Sequence, residues 1–388
     1  MFDRDIEKKA LALATKFPVI GILGPRQSGK TTLAQKIFPS YTYVSLEDPQ
    51  SRLFAEQDPK GFLETHMNGD GIVLDEVQHV PDLFSYIQLI VDETQQPGSF
   101  ILTGSQNFLL HEKLPQTLAG RIALLTLLPL SIDELKRANR LPDRYEALLF
   151  QGGYPRIHAQ NISPQDWYPN YLNTYVERDI RELRNVANLT QFQRFIKLCA
   201  GRVGQLVNFS DLGRDAGLSF HTVKEWLSLL ETSYILFFLQ PYHKNFHKRL
   251  VKSPKLYFYD MGLTCSLLGI NSVKDLDTHY LKGNLFESLI VSELLKMRYH
   301  RGLQPNVYFW RDKVGHELNC LVEKGEELLA VEIKSGKTLT SDFFTNIHYW
   351  QKLTDSSPSN SYLIYGGHEL QKRSYSHVLG WQNLDRLS

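Results

Sequence analysis

The segment at residues 24–31 restricts the fold of this chain more than any other, because it matches the spacing G-x-x-x-x-G-K-[ST] at every fixed position. An apolar run at residues 17–23 precedes it and predicts a buried strand, and residues 31–38 follow it and predict a helix. This strand–loop–helix context distinguishes a phosphate-binding P-loop from a chance match. The alternative, an ordinary glycine-containing turn, is disfavoured by that context and by the motifs further along the chain.

The composition of this loop suits nucleotide binding. Glycines let backbone N–H groups approach phosphate oxygens closely, and the positive N-terminal end of the next helix points at the same phosphates. Lys30 is expected to reach the β- and γ-phosphates, and the Thr31 hydroxyl is expected to hold Mg²⁺. The predicted nucleotide-binding residues are Gly24, Pro25, Arg26, Gln27, Ser28, Gly29, Lys30, Thr31 and Thr32.

The length and composition of the chain limit its class. Its 388 residues favour two or three domains, and 43 Lys and Arg against 42 Asp and Glu give no sign of a polyanionic partner. Cys199, Cys265 and Cys320 show neither a disulfide framework nor a zinc-binding spacing. The charged N-terminus lacks the apolar core of a signal peptide, and the longest apolar stretch, residues 122–132, is too short to cross a bilayer. We therefore expect a soluble, cytoplasmic protein without a membrane partner.

A second motif, at residues 71–76, is an apolar strand that ends in two acids. This is the Walker B arrangement, which places its acids at the carboxyl edge of an open α/β sheet, where ligands bind. Asp75 is expected to hold Mg²⁺, and Glu76 to orient and deprotonate the attacking water. Two solvated acids at a strand end are the alternative, which the P-loop upstream disfavours.

Two further candidates follow Walker B. The strand predicted at residues 99–103 is followed by Ser105, our choice for a polar sensor of the γ-phosphate or the water, with Gln106 or Asn107 as alternatives. Arg121 comes just before the next predicted strand and is a candidate arginine finger, which would stabilise transition-state charge in a neighbouring subunit. An ordinary surface arginine remains the alternative.

The order and spacing of residues 24–31, 74–78, 102–105, 118–121 and 128–131 resemble those of bacterial and archaeal ATPases in which an AAA-type domain is joined to a C-terminal domain of unknown function, DUF4143. The resemblance covers nearly the whole chain. It implies an α/β, AAA+-like P-loop fold, in which the strands that carry the P-loop, Walker B and the sensor are adjacent in a parallel sheet. Because a guanine-reading motif is absent from the sequence, ATP is preferred over GTP.

The middle of the chain predicts helices and a winged helix. Arg178, in a long predicted helix, is either a second nucleotide-sensing arginine or part of a structural ion pair. Residues 209–231 follow the helix-turn-helix pattern. Predicted strands then flank residues 242–252, a wing-length segment without acids that contains Lys244, Lys248, Arg249 and Lys252. Such a wing suits DNA phosphates, although winged helices also bind proteins.

The C-terminal part resembles the PD-(D/E)xK nuclease fold. In that fold a helix acid, a strand acid and a Glu-x-Lys strand bind a metal ion and a water. The candidate residues of this nuclease-like site are Glu287, Glu317, Asn319, Glu332 and Lys334. Asn319 stands where the family usually has Asp, and an amide is a poor ligand for Mg²⁺, so we expect cleavage to be doubtful even if Glu317 substitutes in part.

These patterns predict four domains: an ATPase domain at 1–135, a helical lid or linker at 136–190, a winged helix at 191–260 and a nuclease-like domain at 261–388. The predicted function is ATP hydrolysis, with Mg²⁺, that repositions the two later domains in a homo-oligomer with a DNA or protein partner. The alternatives are an ATP-gated, metal-dependent nuclease and a nucleotide switch that binds a partner without hydrolysis.

Overall fold

The computed structural model describes residues 1–105, 118–175, 189–242 and 252–387, and it divides into two compact units. The N-terminal unit consists of Met1–Leu130, Thr232–Tyr234 and Met297–Gln304. The C-terminal unit consists of Ser131–Glu231, Ile235–Lys296 and Pro305–Ser388.

Five short parallel strands form the sheet of the N-terminal unit. They are β1 (Val19–Leu23), β2 (Thr42–Ser45), β3 (Ile72–Asp75), β4 (Phe100–Gly104) and β5 (Ile122–Thr126). Their order is β2-β3-β4-β1-β5, and β1, β3 and β4 are buried along their whole length, as their apolar sequences require. The strands of the P-loop, the sensor and Walker B are therefore adjacent, which confirms the predicted α/β fold with a parallel sheet.

Helices flank this sheet. They are α1 (Glu7–Ala14), α2 (Lys30–Ile37), α3 (Pro49–Gln57), α4 (Pro59–His66) and α5 (Leu83–Thr94). The break between α3 and α4 falls at Asp58, whose carboxylate accepts a hydrogen bond from Gly61 N at 2.9 Å. Pro59 takes the first helical position, where its missing N–H costs nothing.

The C-terminal unit begins with four short helices among the described residues. They are α6 (Ile132–Arg137), α7 (Tyr145–Gln151), α8 (Pro155–Gln160) and α9 (Pro164–Tyr175). Ser131 caps α6, because its hydroxyl accepts a hydrogen bond from Glu134 N at 3.2 Å and the Glu134 carboxylate accepts one from Ser131 N at 2.9 Å. Arg178 lies outside the described residues.

Three helices and a small antiparallel sheet come next. They are α10 (Leu189–Ala200), α11 (Phe209–Ala216) and α12 (Phe220–Thr232), with strands β6 (Gln205–Leu206), β7 (Leu236–Leu239) and β8 (Lys255–Phe258) in the order β6-β8-β7. Gly217 has φ of 67° at the predicted turn, and the Ser219 hydroxyl accepts a hydrogen bond from Thr222 N at 3.1 Å. Strand β6 was not predicted, because two residues are too few to show a pattern.

One basic residue of the predicted wing lies among the described residues. Lys244, Lys248 and Arg249 lie outside the described residues, and Lys252 is exposed.

A mixed six-stranded sheet and four α-helices make up the rest of the described C-terminal unit. The strands are β9 (Val307–Arg311), β10 (Glu317–Lys324), β11 (Glu327–Lys334), β12 (Ser361–Tyr365), β13 (Gln371–Lys372) and β14 (His377–Gly380), in the order β13-β14-β12-β11-β10-β9. The helices are α13 (Met261–Leu267), α14 (Val273–Thr278), α15 (Lys282–His300) and α16 (Thr345–Thr354). Strands β10 and β11 form a hairpin that turns at Gly325, which has φ of 64°. Strands β13 and β14 were not predicted.

The sequence of residues 283–298 predicts an amphipathic helix, but α15 is buried along most of its length. Apart from the partly buried Glu287, every residue from 285 to 296 is buried. Polar side chains on the helix are satisfied locally, since Ser292 donates to the carbonyl oxygen of Tyr259 at 2.9 Å and Lys296 lies 2.7 Å from Glu293. Among the described residues, every helix is too short or too polar to cross a lipid bilayer.

Candidate functional site

The backbone of the P-loop curls tightly between β1 and α2. Gly24 has φ of 153° and Gly29 has φ of 97°, and Gln27 between them also has a positive φ, of 60°. A Cβ atom at position 24 would lie 2.0 Å from the carbonyl oxygen of Leu127. Backbone conformation therefore requires glycine at both fixed positions of the motif, and close packing requires it again at Gly24.

Polar side chains of the loop are buried. Lys30 is 4% exposed, and its ammonium donates hydrogen bonds to the carbonyl oxygens of Gly24 at 3.1 Å and Pro25 at 3.0 Å. The Ser28 hydroxyl is buried and has no hydrogen-bond partner among the described residues. Arg4 supports the loop by donating to the carbonyl oxygen of Ser28 at 2.8 Å. The loop thus presents buried polar groups that a bound phosphate would satisfy.

Hydroxyl groups surround the carboxylate of Asp75 at the end of β3. The Thr31 hydroxyl lies 2.9 and 3.1 Å from its two oxygens, the Tyr43 hydroxyl donates at 2.8 Å, and the Thr103 hydroxyl also donates to it. Burial raises the pKa of Tyr43, and the neighbouring Asp75 raises it further, so that Tyr43 stays a hydrogen-bond donor. These neutral donors fix the carboxylate without cancelling its charge.

Glu76 directly follows strand β3, and its own backbone is left-handed, with φ of 54° and ψ of 48°. Strain of this kind concentrates at functional sites. Its carboxylate accepts hydrogen bonds from Ser105 N at 3.1 Å and from the Gln78 amide. Burial alone would raise the pKa of Glu76, but the Lys30 ammonium and these hydrogen bonds outweigh burial and hold the pKa below its usual value. The group is therefore a carboxylate at neutral pH, as a base must be.

The donor set fits a nucleotide and Mg²⁺. Thr31 and Asp75 offer adjacent hydroxyl and carboxylate oxygens, and oxygen is the ligand that Mg²⁺ prefers. Lys30 and Ser28 supply a buried cation and a buried hydroxyl in the loop. Ser105 lies beside Glu76, where its hydroxyl is 3.3 Å from the Gln78 amide nitrogen.

Other predicted residues lie at the margin of this site or away from it. Arg26 approaches Glu47 at 3.4 Å. Arg121 precedes β5 and so lies at the amino edge of the parallel sheet, away from the P-loop of the same chain, where it forms an ion pair with Asp92 at 2.9 Å. Gln106 and Asn107, the alternative sensors, lie outside the described residues, so among the described candidates only Ser105 meets Glu76.

The nuclease-like candidates form a second cluster, in the C-terminal unit. Glu332 and Lys334 lie on one face of β11 as the strand alternation predicted, with their charged groups 2.9 Å apart. Glu332 also accepts a hydrogen bond from the Asn346 amide at 2.8 Å. The Asn319 amide oxygen instead accepts a hydrogen bond from Ile333 N at 2.9 Å, so the Asn319 side chain of β10 binds the backbone of β11.

Glu287 and Glu317 meet a residue that the sequence analysis did not single out. The Lys255 ammonium lies 3.0 Å from Glu287 and also contacts Glu317. The Tyr257 hydroxyl donates to Glu287, and Arg311 lies 3.2 Å from Glu317. The structure therefore brings both acids together around a lysine.

Sequence reasoning also missed Tyr43, Thr103, Gln78 and Arg4 at the first site. Thr103 and Gln78 lie inside motifs that carried the family resemblance, and Tyr43 lies in a predicted strand, so their neighbourhoods gave a signal. Arg4 gave none, because a single arginine near a chain end has no pattern.

Comparisons with protein families agree with this architecture. Residues 16–136 match the model of an AAA domain, residues 142–274 match a domain of unknown function, DUF8612, and residues 282–384 match the domain of unknown function DUF4143. The chain therefore carries an AAA domain followed by a C-terminal DUF4143 domain, as the motifs predicted. The match to DUF8612 was not foreseen.

Similar proteins include an uncharacterized protein of Mycobacterium tuberculosis, 29% identical over 86% of this chain and 74% of its own length. A Haemophilus influenzae protein is 24% identical over 80% of this chain and 81% of its own length. Among solved structures, the Walker-type ATPase of Pyrococcus abyssi covers 69% of this chain and 96% of its own at 15% identity, with a TM-score of 0.45. The Holliday junction branch migration motor RuvB of Thermotoga maritima covers 61% and 89% at 20% identity, with a TM-score of 0.33.

Proposed function

We propose that this protein binds and hydrolyses ATP with Mg²⁺. The observation that carries the proposal is the meeting of Thr31, Asp75, Glu76 and Ser105 at the carboxyl edge of the parallel sheet, beside a P-loop whose Lys30 is buried. A P-loop with a purely structural role would need no ionised, buried carboxylate directly after a nearby strand of the same sheet.

Each residue has a separate part in the proposed reaction. Lys30 and the loop N–H groups bind the β- and γ-phosphates, and Thr31 and Asp75 hold Mg²⁺, which neutralises phosphate charge when bound. Glu76 accepts a proton from the attacking water, and Ser105 N holds the Glu76 carboxylate in place. Because the pKa of Glu76 lies below its usual value, the carboxyl group is ionised at neutral pH and can accept a proton.

We further propose that hydrolysis repositions the domains that follow, with boundaries at 136–190, 191–260 and 261–388. The α10–α12 bundle with its antiparallel sheet supports a winged helix, whose partner is DNA or a protein. Arg121 lies too far from its own P-loop edge to serve it, so its proposed role as an arginine finger requires a homo-oligomer.

The test compares phosphate release by the wild type, Glu76→Gln and Glu64→Gln at saturating ATP. Removing a general base should lower the rate by about 10²- to 10⁴-fold. Glu64 is an exposed residue of α4 whose carboxylate lies 3.7 Å from its helix neighbour Lys60, so its substitution should leave the rate unchanged. Binding of a fluorescent ATP analogue should persist in Glu76→Gln. Release by the wild type no faster than by Glu76→Gln would favour the non-hydrolysing switch.

An ATP-gated nuclease is the second candidate, and the Glu332–Lys334 pair supports it. Metal-dependent nicking of plasmid DNA by the wild type that is lost in Lys334→Ala would establish it. Asn319 argues against it, because an amide stands where such a site usually has Asp and its oxygen already accepts a backbone N–H.

A further inference from the structure

Lys255 is a buried lysine with two carboxylate partners from different parts of the chain. It begins β8, is 2% exposed, and places its ammonium between Glu287 of α15 and Glu317 of β10. Two carboxylates within ion-pairing distance hold its ammonium as a cation. An internal cation therefore bridges a helix acid and a strand acid.

A nuclease of the PD-(D/E)xK type would use a helix acid and a strand acid to hold a divalent metal ion. We propose that the Lys255 ammonium takes the place of that ion, so that the cluster is a metal-free charge clamp and binds a divalent cation only when Lys255 is removed. The proposal concerns the C-terminal unit alone and does not rest on ATP hydrolysis.

The balance of charge within the cluster supports this proposal. Two carboxylates meet two cationic side chains: Glu287 and Glu317 against Lys255 and Arg311. Their formal charges cancel without a metal ion. A divalent ion added to this set would leave an excess of two positive charges in a buried region, which is costly. Removal of Lys255 would instead leave one unpaired negative charge.

The amide oxygen of Asn319, another candidate ligand, already accepts the hydrogen bond from Ile333 N. Glu332 has one oxygen engaged by Lys334 and Asn346, and its second, buried oxygen has no partner among the described residues.

The clamp also explains what the cluster holds together. Lys255 and Tyr257 are two residues apart on β8, and both contact Glu287. Strand β8 follows the candidate wing, so the clamp fixes that end of the small sheet against α15 and β10. The nuclease-like fold thus serves as an anchor for the strand after the wing.

The test counts bound Mn²⁺ by electron paramagnetic resonance in full-length protein without nucleotide. All variants carry Asp75→Asn to remove the P-loop metal ligand. Adding Lys255→Ala should create one Mn²⁺ site per chain, at least tenfold tighter than any in the parent at this cluster, and adding Glu317→Gln to that variant should weaken it at least tenfold. Lys296→Ala, which removes another buried lysine beside a glutamate, should create no such site.

A folded Lys255→Ala protein that gains no site would overturn the proposal. If Lys255→Ala does not fold, the parent decides the question, since the proposal requires that Glu317→Gln leave its Mn²⁺ binding unchanged. A Mn²⁺ site that is present with Lys255 in place and lost in Glu317→Gln would show that the cluster is an ordinary metal site.

Discussion

The hydrogen bond from Tyr43 to Asp75 gives the sharpest prediction for the nucleotide site. Tyr43→Phe keeps the ring, which packs at the core of the N-terminal unit, and removes only the hydroxyl that lies 2.8 Å from the carboxylate. A hydrogen bond to a charged group contributes about 1.5–3 kcal/mol. Since about 1.4 kcal/mol corresponds to a factor of ten, Mg²⁺ affinity should fall about 10- to 100-fold, the range typical for partners of metal ligands.

The assay is phosphate release as a function of Mg²⁺ at saturating ATP. Tyr43→Phe should raise the Mg²⁺ concentration needed for half-maximal rate by about tenfold or more, while binding of a fluorescent ATP analogue without Mg²⁺ stays unchanged. Tyr41→Phe is the matched control, because Tyr41 lies two residues earlier and packs on Phe38 with ring centroids 5.0 Å apart. Equal Mg²⁺ requirements for both variants would refute the idea that Tyr43 positions Asp75.

Three further variants test other contacts. Gly24→Ala should abolish ATP-analogue binding, because its Cβ would meet a carbonyl oxygen at 2.0 Å, whereas Gly69→Ala, which meets nothing within 4 Å, should bind normally. Arg121→Ala should lower phosphate release by about 10³-fold without changing the melting temperature, and mixing it with Glu76→Gln subunits should restore activity; a rate that stays low in the mixture would contradict a role between subunits. Burial alone would raise the pKa of Glu146, but nearby lysines outweigh it and lower the pKa to about 2, so the ionised form stabilises the fold at neutral pH. Glu146→Gln should therefore lower the melting temperature at pH 7, and this loss should shrink as the pH falls below 4.5. A loss that does not depend on pH would contradict this role.

The parts of the site that the sequence predicted are those that depend on local spacing. The P-loop and the Asp75–Glu76 pair each occupy a few consecutive residues, and parallel strands bring their carboxyl ends to one edge of the sheet. The glycines at positions 24 and 29 also indicated backbone conformations that only glycine adopts easily. Local pattern and sheet geometry were therefore enough for this part.

Contacts between residues far apart in the chain could not be predicted from the sequence. Tyr43 and Thr103 lie 32 and 28 residues from Asp75, and Lys255 lies 62 residues from Glu317. A tyrosine or a lysine in a strand has no signature that names its partner, because the partner depends on which strands pair and in which register. The burial of α15 was missed for a similar reason, since its polar residues find partners only in the folded unit.

The two clusters show why a carboxylate in or beside a strand is not by itself a metal ligand. Asp75 receives hydrogen bonds from three hydroxyl groups, which orient it and leave its negative charge available to a cation. Glu317 instead receives Lys255 and Arg311, whose positive charges cancel its own. Only the first environment favours a bound divalent ion. The partners of each acid therefore distinguish the proposed ATPase site from the proposed clamp more than the acids themselves do.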